Sequence, residues 1–365
     1  MGKDLNNKNG VKIKMMKQNP SQGEESINQT PIQSLAKLWA KKYVQNLENK
    51  EAANGENPWE SAYGKERSAI AEKLMYSLRY TSLQAWQKTE YLIGREIQRH
   101  QINPRLIDPW RISEDAFEIY EKALESYAKM IAPQHLARII GTYLGNIRNK
   151  YTSSDPRTIG FVALQFHYTG QMLLSEVSSQ WEQNQLLAYF KVIDDHLYMP
   201  LQRAYDAAAS QDYDSPALSV VQTLLPCSTE IARNICQRVI ELYPRYLSHS
   251  GSLHNPVVKT SSIRDVEMFQ VYLWVCVLEN NISAIQQELF PLCVMLYPAL
   301  KVHWELVRQM INLMGKEFSS RVKPEQRALF VPYFQALREM FSPEVFPESI
   351  DDEMWRTAKA MGATL

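Results

Sequence analysis

Asp194, Asp195 and His196 stand side by side in the stretch YFKVIDDHLYMPLQRAYDAAA, residues 189–209. Two carboxylates and an imidazole are the groups that hold a divalent metal or pass protons in acid–base catalysis. Pro200 follows four residues after His196. It lacks an N–H and its ring clashes with the His196 carbonyl in a regular helix. A carbonyl freed beside the carboxylates would add a further ligand on a distorted turn. One expectation is therefore a metal-dependent enzyme working through Asp194, Asp195 and His196. The opposing expectation is a charged helix face. On a helical wheel, Phe190, Ile193, Leu197, Leu201, Ala204 and Ala208 share one stripe. The stripe runs past Pro200 and predicts one kinked helix over 180–210. Lys191 precedes the aspartates by three and four residues, a spacing at which it pairs with them inside the helix. Neighbouring side chains diverge by about 100° on a helix, so Asp194 and Asp195 do not aim at one point.

Histidines set a second expectation. His167 lies in FVALQFHYTGQMLL and His303 in YPALKVHWELVRQMINLMGKEF. A lone histidine on an apolar helix can serve as an axial ligand to a haem-like cofactor, or it can simply close a core boundary. The chain then reads as a helical carrier of a small molecule, haem-like group or pigment, with an apolar pocket near His167 or His303. The sequence leaves the cofactor's identity open.

Aromatic residues set the third and principal expectation. Trp59, Tyr63, Trp86 and Tyr198 interrupt polar segments, and Tyr and Trp suit interfaces because they join apolar area to a polar tip. The favoured reading is an intracellular, cytoplasmic, non-catalytic interaction or regulatory protein with a protein partner, acting through helix faces. A homo-oligomer is compatible with it.

Missing motifs narrow the chemistry. No H-E-x-x-H occurs, and no histidine has a glutamate three residues before it. Walker, Rossmann and nucleophile-elbow patterns are absent too. With 40 basic and 40 acidic residues the chain is neutral, which does not favour general nucleic-acid binding. Cys227, Cys236, Cys276 and Cys293 form no C-x-x-C pair and read as reduced, mostly buried thiols.

The elements that must position these residues read as helices almost throughout. Asn57-Pro58, Asp108-Pro109, Asp155-Pro156 and Ser215-Pro216 each place a cap before a first-turn proline. Ser262 with Asp265 resembles a capping box opening a helix over 262–280. Further helices are expected over 33–48, 58–80, 82–101, 113–131, 133–150, 156–178, 216–225, 229–246, 282–297, 299–321, 324–341 and 349–361. Gly141-x-x-x-Gly145 marks a face that lets another backbone approach closely, as tight packing within the chain. No alternating pattern predicts a sheet. The fold class is all-α: an irregular multi-helix bundle, in two packed helical blocks. Its expected divisions are a basic tail over 1–30, a helical extension over 31–105, a central domain over 106–247, a linker over 248–262 and a C-terminal block over 263–365. No apolar run is long enough to span a membrane. The lysines of the tail offer at most a peripheral membrane contact.

Overall fold

A computed structural model describes residues 35, 37–39, 41–42 and 64–347. The basic tail, the Asn57-Pro58 cap, Trp59, Tyr63 and the expected helix over 349–361 lie outside these residues. Between Gly64 and Met340 the chain folds into twelve α-helices with one two-strand hairpin. The all-α bundle expected from the sequence is the fold.

The first helices run α1 (Gly64–Arg99), α2 (Pro109–Ala128), α3 (Pro133–Thr152), α4 (Ile159–Ser175) and α5 (Gln180–Tyr198). The expected break between 80 and 82 does not occur, and α1 is continuous. Thr81 and Ser82 are buried within it, and the Gln165 side-chain amide donates to the Ser82 carbonyl at 3.2 Å. Packing overrides the weak helix preference of hydroxyl residues here. α1 lies along α2 and α4, so it belongs to the core and is not an extension. The Asp108 carboxylate accepts from the Trp110 and Arg111 backbone N–H groups ahead of α2. The Asp155 carboxylate accepts from Arg157 N–H and opens a 3₁₀ turn that leads into α4.

The second part comprises α6 (Leu201–Ala209), α7 (Pro216–Leu224), α8 (Ser228–Leu242), the hairpin of β1 (Leu247–Ser248) and β2 (Gly251–Ser252), α9 (Pro256–Glu279), α10 (Phe290–Ala299), α11 (Trp304–Arg321) and α12 (Pro324–Met340). From Val266 to Leu278 every side chain of α9 is buried. A helix apolar on all sides must be surrounded, and α6, α8 and α12 pack around this one. α9 starts at Pro256, capped by the Asn255 side chain, which accepts from Val257 N–H at 2.9 Å. The expected capping box at Ser262 is therefore an interior turn, and its hydroxyl donates to the Val258 carbonyl at 2.8 Å. The segment 248–262 is consequently structured: hairpin first, then the opening turns of α9. Gly251 holds φ +114 in that hairpin, a backbone conformation suited to glycine. A single hydrophobic cluster runs from Leu35 to Phe341.

The predicted kinked helix over 180–210 is two helices. Met199 is extended between α5 and α6. Leu201 N–H turns back to the Met199 carbonyl at 2.8 Å, which strips the Leu197 carbonyl of its usual partner four residues on. The Arg148 guanidinium from α3 donates to that carbonyl instead. Arg148 also reaches the Tyr272 hydroxyl and, at 2.9 Å, the Glu288 carboxylate. Glu288 sits in a π-helical turn, Ala284–Leu289, and also pairs with Arg203 of α6. Five elements, α3, α5, α6, α9 and the π-helical turn, thus meet at one repair of the Pro200 break. Gly141 and Gly145 of α3 face His196 and Gln202. A Cβ on Gly145 would come within 2.8 Å of Gln202 Cβ, so the small-residue pair serves packing inside the chain.

Candidate functional site

The chemistry expected at 194–196 disperses once folded. Asp194, Asp195 and His196 point to different partners. The Lys191 ammonium donates to both Asp195 carboxylate oxygens, at 2.8 and 2.7 Å, and Asp195 is buried. His196 is buried as well, and its Nδ1–H donates to the Val192 carbonyl at 2.7 Å. Burial lowers its pKa below the usual imidazole value, so it stays neutral in the fold. The Asp194 carboxylate lies 2.9 Å from His167 Nδ1. No group of three histidine, cysteine or carboxylate side chains among the described residues could hold a metal ion. The metal set expected from Asp194, Asp195 and His196 is not assembled, because a regular helix sends consecutive residues to different faces.

Of these three, Asp194 alone leads to a site. Beside it, α4, α8, α9, α10, α11 and the hairpin line a partly open cavity of about 250 Å³. Its walls are mostly aliphatic: Leu164, Ile235, Val239, Leu292, Leu296 and Val307 are among them. Polar groups gather where α4 and α5 meet α9. The Arg264 guanidinium stacks 3.7 Å from the Tyr198 ring centroid. It donates to the Asp265 carboxylate at 3.0 Å and stands 3.8 Å from Asp194. The Gln171 side-chain N–H donates to His167 Nε2 at 2.8 Å, which puts the His167 proton on Nδ1, facing Asp194. Lys259, Ser248 and Ser250 add polar atoms to the lining.

Electrostatics divide these groups. Burial works against the Asp194 carboxylate, but His167, Arg264 and Lys191 outweigh it and hold its pKa below the ordinary range. At Asp265 burial prevails over Arg264 and raises the pKa. Burial also pushes the Cys236 thiol up to about 12 and raises Cys293; both line the cavity. A concave, mainly apolar space with a few convergent polar groups and perturbed carboxyls is the usual form of a small-molecule site.

Each expected residue now has a place. His167 lines the cavity, but both of its ring nitrogens are engaged, so it is arranged as a hydrogen-bonding residue and not as an axial ligand. His303 is absent from the lining. Its ring packs edge-on to Tyr246 at 5.6 Å, and its backbone N–H donates to the Tyr246 hydroxyl at 2.9 Å. Tyr246 is the residue that reaches the cavity. Tyr198, expected on an interaction surface, is buried under Arg264 in the cavity wall. Trp86 is half-buried against the core. Arg264 and Asp265 were missed as a site because Asp265 is equally explained by a helix start. The available signal was a charged doublet immediately before the apolar run Val266–Leu278.

A helical fold lining a mainly apolar cavity with a charged corner defines the class on structural grounds. Compared with known families, residues 194–340 are similar to the family described as Phycobilisome protein. The match covers less than half of the chain, and that family's all-α, globin-like architecture agrees with the helices seen here. No curated protein and no solved structure matches the chain.

Proposed function

We propose that this protein binds a linear tetrapyrrole pigment, a bilin, in the cavity between α4 and the α8–α11 region. One observation carries the reading. Leu164, His167, Tyr168 and Gln171 come from α4, and every other cavity-lining residue falls within 194–340, the segment similar to Phycobilisome proteins. The donor set fits such a group. A bilin presents a flat apolar face, pyrrole N–H donors and carboxylate arms. Aliphatic walls suit the face. Asp265 offers an acceptor to N–H groups, and Arg264 and Lys259 offer cations to carboxylates. Tyr198 and Asp194 fix the Arg264 fork before any ligand arrives, which lowers the ordering cost of binding. Bound there, the pigment would supply light absorption. The chain's own part is to exclude water and hold one conformation.

The interaction reading has less behind it, since Trp59 and Tyr63 lie outside the described residues and Tyr198 is buried. The test is a titration of the full chain with biliverdin, followed by long-wavelength absorption. The expected result is saturable one-to-one binding with a sharpened, red-shifted band. Arg264→Ala should weaken it roughly tenfold to a hundredfold, the worth of a charge-assisted hydrogen bond. An absorption change that never saturates, or one indifferent to Arg264→Ala, would remove the reading.

A further inference from the structure

Beyond the main cavity lies a second, outer cleft of about 470 Å³, between α1, α4 and the hairpin. Tyr168 lines both spaces. On the hairpin, Ser248 and Ser250 face the inner cavity while His249 between them faces the cleft. Tyr168 is thus the residue the two linings share, and the hairpin contributes to both. The Lys88 ammonium stands on the cleft side, 5.9 Å from the Tyr168 ring centroid. The remaining lining is Gln84, Gln87, Tyr91, Leu92 and Met172, with no carboxylate. Lys88 is exposed and makes no ion pair among the described residues.

Size links the two spaces. Sites for ligands of ordinary drug size occupy roughly 300–1,000 Å³. The inner cavity, at about 250 Å³, falls short of that range for a ligand of four linked rings. Such a ligand would extend beyond it, and on the Tyr168 side lies a cleft whose one formal charge is positive.

We propose that the outer cleft is a second subsite for the same ligand, taking an anionic arm, a carboxylate, on Lys88 with His249 and the glutamine amides beside it. Tyr168 is the partition past which the ligand extends. This rests on the pigment reading above and adds where the ligand leaves the cavity and what holds it there.

Biliverdin and its dimethyl ester distinguish the two claims, since the ester keeps the ring system and removes the carboxylate charge. Both are titrated against the full-length wild type, Lys88→Ala and Lys88→Arg. Thermal melting checks that these exposed-site variants remain folded. Lys88→Ala should weaken biliverdin about threefold to tenfold, leave the ester's affinity unchanged, and be rescued by Lys88→Arg. Wild-type binding of biliverdin with no loss in Lys88→Ala overturns the outer subsite and leaves the pigment reading standing. An equal loss for acid and ester overturns it too, since charge would not be what Lys88 contributes. Failure of the wild type to bind either compound removes both proposals.

Discussion

Cys236 and Cys293 illustrate how burial decides what a residue can do. Both line the cavity, and both thiols are pushed up, Cys236 to about 12. The thiolate is the nucleophile, so neither is set up to add to a pigment's unsaturated side chain at neutral pH. The expected outcome is reversible binding: acid–urea treatment of the biliverdin complex releases all of the pigment, and intact-protein mass spectrometry finds the apoprotein mass alone. A pigment adduct on either cysteine would contradict the protonation argued here. Arg264 and Asp265 teach a related lesson about legibility. Their types are plain in the sequence, but their partners Tyr198, Asp194 and His167 come from α4 and α5, far away in the chain. Residue chemistry could be read ahead of the fold; the convergence of that chemistry could not. Asp194 was visible as a candidate through its neighbours in the sequence. Adjacency in sequence suggested a cluster, and helical geometry dispersed it.

At the scale of elements, local signals carried furthest. Asp108-Pro109 and Asp155-Pro156 cap as expected because a cap depends only on neighbours within one turn. Where tertiary packing competes, local reading fails. Ser82 is buried and keeps α1 continuous, and Ser262 lies inside α9. The Pro200 break shows both outcomes. The loss of helical hydrogen bonding there is legible from proline alone, but Arg148 taking over the Leu197 carbonyl is not, since α3 precedes α5 by a full helix. Arg148→Met should therefore cost about 3–5 kcal/mol, measured by urea denaturation, because it leaves the buried Leu197 carbonyl without its donor and takes one of two arginine partners from Glu288. Adding Glu288→Leu to that variant should recover part of the loss. A double variant no better than the sum of its single changes would show that Arg148 and Glu288 act independently.

At the scale of the molecule, an ionic contact joins the first described residues to the centre, although burial holds the Lys42 pKa below its usual value despite Glu267 beside it. Lys42 and Glu267 are both buried, 3.2 Å apart, and Lys191 reaches the same carboxylate at 3.4 Å. Burial by itself would raise the Glu267 pKa, but the two lysines outweigh it and pull it down to about 2. A carboxylate depressed in the fold stabilises it above its unfolded value, near 4.5, and that contribution disappears as pH falls through about 2. Urea midpoints should therefore fall between about pH 4.5 and 2, and Glu267→Gln should be weaker at neutral pH with a flatter acid limb. An acid limb of the same slope in Glu267→Gln would show that another group governs it. None of this was visible beforehand, because a lysine in a basic stretch and a glutamate in an apolar helix give no sign of each other.

That ionic tie has a timetable. Lys42 and Glu267 are more than two hundred residues apart, and ribosomes add roughly 5–20 residues per second. Lys42 and the buried Trp39 beside it therefore wait roughly ten seconds or more for the acidic partner to emerge. During each round of synthesis Lys42 can reach its final seat only after Glu267 has been made.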